Sequence, residues 1–296
     1  MLAPKFVEAL PLAGERVVAV GCGTSLYVAR GYAALREAEG QGETDAFAAS
    51  EFPPGRRYDR LVAITRSGTT TEVVRLLEGA GGLPPSVAIT ADGDSQVAGL
   101  AAASIVLDFA EERSVVQTRF ATTVLALLRA HLGENLAGVA AEGERALGTP
   151  LVEEWGRSDH FVFLGHGWTV GVAEEAALKL REAAQVHTEA YPAMEFRHGP
   201  ISLAGPGSLV WILGSPDAAI AEDVSATGAT VRVASLDPMA ELVLVQRLAV
   251  WLAERRGKDP GHPPHLSRSV VLTGPETDPA GGFKRTYLRT GGKERR

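Results

Sequence analysis

The chain of 296 residues contains a single cysteine, Cys22. An intramolecular disulfide is therefore excluded, and so is any zinc site built from a cysteine cluster. Basic charge is not in excess either. Twenty-nine Lys and Arg stand against 36 Asp and Glu, giving a net charge of −7 and a pI near 5.6. Such a balance speaks against nonspecific nucleic-acid binding. It does not exclude an anionic small molecule, because backbone N–H groups at a helix N-terminus hold a phosphate without net positive charge. The stretch from Met1 to Arg16, broken by prolines, is too short for a signal peptide or a membrane span. The expected compartment is the cytoplasm, with neither membrane nor nucleic acid as a partner. Hydrophobic residues at 45% and charged residues at 22% are ordinary for a soluble globular chain, long enough for two domains with their own cores.

What is present is repetition. Val17-Val18-Ala19-Val20-Gly21-Cys22-Gly23-Thr24-Ser25 reads as a buried strand running into a Gly-x-Gly turn, with a helical pattern following through Glu37. After Ser158 the pattern returns as Phe161-Val162-Phe163-Leu164-Gly165-His166-Gly167-Trp168-Thr169, then a helix to about Gln185. Gly21 and Gly165, Gly23 and Gly167, Ala29 and Ala173, and Ala33 and Ala177 coincide at one offset. Leu61–Ile64 matches Leu209–Ile212, and Val87–Ile89 matches Val231–Val233, each a short apolar run without alternation, as in a parallel strand covered on both faces. Helical patterns at Thr70–Gly79 and Met239–Arg255 lie between or after them. Alternation of this kind predicts an α/β chain of two doubly wound parallel sheets related by duplication. The expected division is 1–140 and 150–273, joined through the polar, Gly- and Glu-rich stretch Glu134 to Pro150 that follows an apolar helix from about Thr118 to Leu132. Residues 274–296 form a polar tail, expected to be disordered.

In Leu61-Val62-Ala63-Ile64-Thr65-Arg66-Ser67-Gly68-Thr69-Thr70 a buried strand meets hydroxyls and a glycine at the start of a helix. Ligands of doubly wound sheets sit beyond the carboxyl ends of the strands, and free N–H groups with the helix dipole favour an anion there. N-capping would explain one hydroxyl. Five of the six residues from Thr65 to Thr70 are Ser, Thr or Gly, which favours a phosphate loop. The matching turn of the second half, Leu213-Gly214-Ser215-Pro216-Asp217, has lost most of the hydroxyls. Gly21-Cys22-Gly23 begins like a dinucleotide fingerprint, but Leu26 and, in the second copy, Val170 replace the third glycine. Thr24 and Ser25 are better read as hydroxyls for a sugar phosphate.

Ionisable residues crowd Glu174 to His198. Glu175, Lys179 and Glu182 stand at i, i+4 and i+7 on one helix face. That spacing fits either a solvated ion pair or an active-site cluster. His198 sits in a Gly-Pro turn, where a structural and a catalytic histidine look alike.

Six motifs across residues 15 to 273 together resemble the sugar isomerase (SIS) domain family. They are Gly21-Cys22-Gly23-Thr24-Ser25, Ser50-Glu51-Phe52, Thr65-Arg66-Ser67-Gly68-x-Thr70, Ala177-Leu178-Lys179-Leu180-Arg181-Glu182, His187-x-Glu189-Ala190-Tyr191 and Glu195-x-x-His198-Gly199-Pro200. The likeness is to the isomerase half of glutamine–fructose-6-phosphate aminotransferases and to stand-alone amino-sugar-phosphate isomerases and deaminases. It implies two αβα domains of flavodoxin-like type acting on a phosphorylated sugar or amino sugar, without metal or cofactor. Cys22, Gly23, Thr24, Ser25, Thr65, Arg66, Ser67, Gly68 and Thr70 would form the phosphate and substrate site, with Val115 and Thr118 near the sugar. Glu182 would move a proton between C1 and C2, with Lys179 beside it. His198 would assist ring opening, reaching the site from a partner subunit, so a homodimer with shared sites is implied. No glutaminase segment precedes these motifs, so glutamine-dependent amination by this chain alone is not expected.

Relatives carry Leu-x-Lys near the C-terminus, where this chain has Leu266-Ser267-Arg268. Arg268 cannot form a Schiff base, though it can donate to a carbonyl or an oxyanion. Arg66, where relatives usually have Gln, would add a charge-assisted phosphate contact. Two functions remain open: an isomerase or deaminase of hexose 6-phosphates or amino-sugar 6-phosphates, and a non-catalytic sugar-phosphate sensor.

Overall fold

A computed structural model describes residues 8–79, 83–214 and 219–272. The polar tail at 274–296 and residues Ser215 to Asp217 of the second-half turn lie outside the described residues. Five parallel strands form the first sheet: β1 (Val17–Gly21), β2 (Thr44–Ala48), β3 (Arg60–Ile64), β4 (Ser86–Thr90) and β5 (Ala103–Val106), in the order β2-β1-β3-β4-β5. Four more form the second: β6 (His160–Gly165), β7 (His187–Pro192), β8 (Ser208–Ile212) and β9 (Thr230–Val233), ordered β7-β6-β8-β9 and again all parallel. Both sheets place their first strand inside and cross over to an edge, as doubly wound sheets do.

The predicted helices are present as α1 (Thr24–Ala38), α2 (Thr71–Glu78), α3 (Arg119–His131), α5 (Thr169–Ala184) and α7 (Pro238–Arg255), with α4 (Ala137–Gly148) and α6 (Ala219–Ala226) added. The join expected to be a polar stretch therefore contains a helix. Arg247 on α7 donates to the carbonyls of Ala146 and Thr149 at its end, which fixes α4 against α7. Among the described residues no helix is long and apolar enough to cross a membrane.

Strand alternation sorts the core into three layers. Val17, Ala19, Val62 and Ile64 of the first sheet face inward, as do Phe161, Phe163, Leu209 and Trp211 of the second, all in one continuous apolar cluster with α1, α3, α5 and α7. The outer faces pack separately, Val18, Val20, Leu61 and Ala63 under α2 and Val162, Leu164, Val210 and Ile212 under α6. The two halves thus share their central core. Arg129 of α3, almost fully buried, adds a polar tie between them. Its guanidinium donates to Asp237 at 2.8 and 2.7 Å, pairs with Glu134, and lies over the Trp168 ring at 4.8 Å. Asp237 in turn caps α7 through the Met239 N–H.

The halves approach closely where α1 and α5 cross antiparallel. A Cβ on Gly171 would stand 2.5 Å from the Tyr27 carbonyl oxygen and 2.8 Å from the Gly31 nitrogen. Only a residue without Cβ lets the two backbones meet there. Helix propensity alone says Gly171→Ala should stabilise by about 1 kcal/mol. The collision predicts the opposite sign: a loss of about 1–3 kcal/mol as the helices are pushed apart. The urea midpoint checks this, and a rise in midpoint would refute the tight crossing.

Candidate active site

The crossing of α1 and α5 sets the C-terminal end of β1 against the last turns of α5. Gly21 closes the strand–helix turn, since a Cβ there would lie 2.6–2.8 Å from Ser25 and Leu26 backbone and side-chain atoms, and Gly23 follows with φ +55°. The turn delivers the Thr24 hydroxyl to Lys179, whose ammonium donates to it at 3.0 Å. The same ammonium stands 3.4 Å from Glu175 and 2.6 Å from Glu182. Lys179 is 1% exposed and Glu175 2%, whereas the Glu182 side chain keeps about a fifth of its surface open, at 21%. The face that could have been a solvated ion pair is therefore a buried network with one carboxylate at its mouth. Thr24 also donates to Glu175 Oε1 at 3.3 Å. Ser25 is buried beside it, its N–H donating to the Cys22 carbonyl.

Burial pushes the Glu175 carboxyl up to about 7, and the like charge of Glu182 adds to this, while the Lys179 ammonium pulls the other way. Because the folded-state value lies above the usual 4.5, the group contributes stability that is complete below pH 4.5 and lost as pH rises through 7. Glu175→Gln removes the titration, so the urea midpoint of the variant should fall less between pH 4.5 and 7 than that of the wild type. Parallel profiles would mean that Glu175 titrates as an ordinary carboxyl.

The Thr65–Thr70 loop joins β3 to α2 at the carboxyl end of the first sheet. Gly68 has φ +62°, and a Cβ there would lie 1.9 Å from Ser95 Oγ, so both backbone and packing demand glycine. Thr70 is the N-cap residue of α2, yet its hydroxyl makes no capping bond and lies 3.5 Å from Thr65 Oγ1. N-capping does not explain the hydroxyls. Ser67, Thr69 and Ser269 hydroxyls form a triangle with sides of 3.0–3.1 Å. Ser269 belongs to the C-terminal segment, which crosses the loop: Thr71 N–H donates to the Val270 carbonyl and Leu272 N–H to the Thr71 hydroxyl.

Four residues occupy places other than those expected. Arg66, 1% exposed, does not face an open phosphate site. Its guanidinium donates to the main-chain carbonyls of Ser114 (2.8 Å), Val115 (3.2 Å) and Arg268 (3.1 Å), and burial lowers its pKa. Arg268 turns to the Glu112 carbonyl at 3.1 Å and pairs with the Glu111 carboxylate. The Cys22 thiol packs with the apolar layer under α2, where burial pushes it up to about 11, so it stays a protonated thiol. His198 stands exposed on the short turn Glu195–His198 and takes no part in the hydrogen bonds around Lys179.

Val115 acts through its backbone, donating to Gly261 and accepting from Arg66. Thr118 gives its hydroxyl and N–H to the Glu112 carboxylate, which also accepts from the N–H groups of Arg119 and Phe120 and so caps α3. A cavity of about 220 Å³ opens beside Lys179, walled by Ser114, Thr118, Ala183, Gln246 and Gly261. Gln246 Nε2 is buried there without a hydrogen-bond partner. Sequence reasoning did not single out Ser269, Glu112 or Gln246. It placed Glu175 on the right face without assigning it to the site.

No family model matches the chain. Its relatives in sequence include the glutamine–fructose-6-phosphate aminotransferases [isomerizing] of Sulfurisphaera tokodaii, 27% identical over 92% of this chain and 52% of the relative, and of Thermosynechococcus vestitus, 28% identical over 87% and 52%. The chain spans about half the length of these relatives. Among solved structures, glucosamine-6-phosphate deaminase from Thermotoga maritima superposes with a TM-score of 0.76 at 27% identity, covering 88% of this chain and 92% of that one. Tagatose-6-phosphate ketose/aldose isomerase from Escherichia coli gives 0.71 at 19% identity, over 92% and 89%, a likeness of fold. The resemblance drawn from the motifs holds: the chain's relatives are aminotransferases of this kind, and its structural neighbours are phosphosugar isomerases and a deaminase of their fold.

Proposed function

We propose that the chain is a phosphosugar isomerase or amino-sugar-phosphate deaminase, acting on a hexose 6-phosphate or amino-sugar 6-phosphate of the fructose 6-phosphate or glucosamine 6-phosphate type. One observation carries the reading. Lys179, which itself lines a cavity, joins the Gly-x-Gly turn, which lies at the same sheet end as the hydroxyl loop, to the partly exposed Glu182 carboxylate. The phosphate would sit at Ser25, Thr65, Ser67, Gly68 and Thr70. Phosphate oxygens would compete there with the Ser269 hydroxyl that now completes the triangle. Glu182 would take the proton from C2 and return it to C1 through an enediol or enolamine, with Lys179 holding one carboxylate oxygen by its 2.6 Å bond. No step calls on a metal.

The same reading treats the chain as a cytoplasmic protein with two duplicated domains, 1–140 and 150–273. It also makes it a homodimer, in which the exposed His198 would serve a partner's site. Arg268 is the observation that favours the sensor instead: held by Glu111 and Glu112, it contributes no amine to an open-chain carbonyl.

Proton NMR of glucosamine 6-phosphate with the protein in D2O separates the two. Deuterium entering C2, or conversion to fructose 6-phosphate, is the expected result, and Glu182→Gln should reduce it by about 10²–10⁴-fold while leaving sugar-phosphate binding unchanged. Full turnover in that variant would remove Glu182 from the mechanism. No exchange with any hexose 6-phosphate would leave the sensor. Sharing of sites has its own test. Glu182→Gln and His198→Ala, each inactive alone, should recover roughly a quarter of wild-type activity when unfolded and refolded together, since half the dimers then hold one intact site. An inactive mixture that has formed mixed dimers would place both residues in one chain's site.

A further inference from the structure

The motif His187-x-Glu189-Ala190-Tyr191 lies on β7 and plays no part in the network around Lys179. β7 is the edge strand of the second sheet, and its register on β6 sets His160 directly opposite His187. Alternation puts Glu189 and Tyr191 on the same face. The two imidazole rings are 5.7 Å apart between centroids and inclined at 31°. His160 Nε2 stands 2.9 Å from Glu189 Oε2. One ligand atom from each of His160, His187 and Glu189 lies within 4.8 Å of the other two.

Both half-buried members are also held from behind. Ser208 Oγ is 3.1 Å from His160 Nδ1, and the Tyr191 hydroxyl donates to Glu189 Oε1 at 3.0 Å. His187 is exposed, so its ring can swing and the remaining side is open to solvent.

We propose that His160, His187 and Glu189 form a binding site for a divalent first-row transition-metal ion, separate from the sugar-phosphate site. Two imidazoles and a carboxylate are a donor set that zinc accepts, with bonds of about 2.0–2.2 Å and a fourth position left for water. Such bonds place ligand atoms roughly 3.4 Å apart, so the trio closes on an ion by a small turn of the exposed His187. As the ion enters, neutral His160 takes its Nδ1–H tautomer, the single ring proton moving from Nε2 to Nδ1 by exchange with solvent, so that Nε2 is free to bind. Nδ1–H then donates to Ser208, and the Tyr191 hydroxyl steadies the carboxylate, the arrangement by which outer partners orient metal ligands. A bound ion would clamp the edge strand to β6 just ahead of the turn that carries His198.

Titration of the EDTA-treated full chain with Zn2+ by calorimetry tests this, together with the visible spectrum of the Co2+ form. The expected result is one equivalent bound, d–d bands of an imidazole-ligated Co2+ ion, and a higher melting temperature with zinc. His187→Ala and Glu189→Gln should each weaken binding by about tenfold or more, and His166→Ala, another exposed histidine, should not. Absence of zinc uptake, or binding unchanged in the first two variants, would overturn the proposal and leave a His–Glu hydrogen bond beside a surface histidine. Circular dichroism of the metal-free variants verifies folding. Glu189→Gln preserves side-chain shape, so it decides the matter if His187→Ala fails to fold.

Discussion

The contact of α1 with α5 is the constraint on which the candidate site depends. Backbone meets backbone at Gly31 and Gly171, and this closeness lets a short threonine on one helix reach a lysine buried under the other. Packed helices usually stand about 8–10 Å apart, and the closer contact here brings Thr24 to the ammonium of a lysine that stays 1% exposed. A glycine contact in the middle of the crossing thus fixes polar geometry two turns away.

The buried ions explain why that geometry has little freedom. Lys179 has three N–H donors, and Thr24, Glu175 and Glu182 offer an acceptor to each. Removing one acceptor would leave a nearly inaccessible ammonium undersatisfied, a change that costs about 3–5 kcal/mol for a buried pair. The protonation of Glu175 softens the arrangement. With the carboxyl pushed up to about 7, the site near neutral pH exchanges between one and two ionised carboxylates around a single ammonium.

Strands buried on both faces were legible as apolar runs, which is why β1, β3, β4, β6 and β8 could be read directly, while β9, a partly buried edge, was found through its match to β4. β2 (Thr44–Ala48) and β7 (His187–Pro192) are edge strands with polar residues, and no run marks them. The helix α4 was hidden by Gly138, Gly143 and Gly148, which weaken helix propensity; packing on α7 supplies what propensity lacks. The hydroxyl loop was readable because its chemistry is local. Arg66 and Arg268 were not, since their partners lie 48 to 202 residues away in the chain. For Glu175 and Lys179 the i, i+4 spacing suits a surface pair as well as a buried one, and only the covering helix α1 decides between them.

The two halves share strand order and glycine positions, yet they do not form two equivalent sites. At the offset that relates Gly21 to Gly165, the positions of Glu175, Lys179 and Glu182 fall on Gly31, Leu35 and Ala38. The first half therefore has no acid–base face to offer the second. Nor is the counterpart of Ser25 free: Thr169, at that position, has its hydroxyl bonded to the carbonyls of His166 and Leu213. Gly31 stands where Glu175's counterpart would be, and a Cβ there would only touch the Trp168 carbonyl, at 3.4 Å. The Glu175, Lys179 and Glu182 face thus has no mirror on α1, and the candidate site draws its threonine from α1 of one half and its ions from α5 of the other.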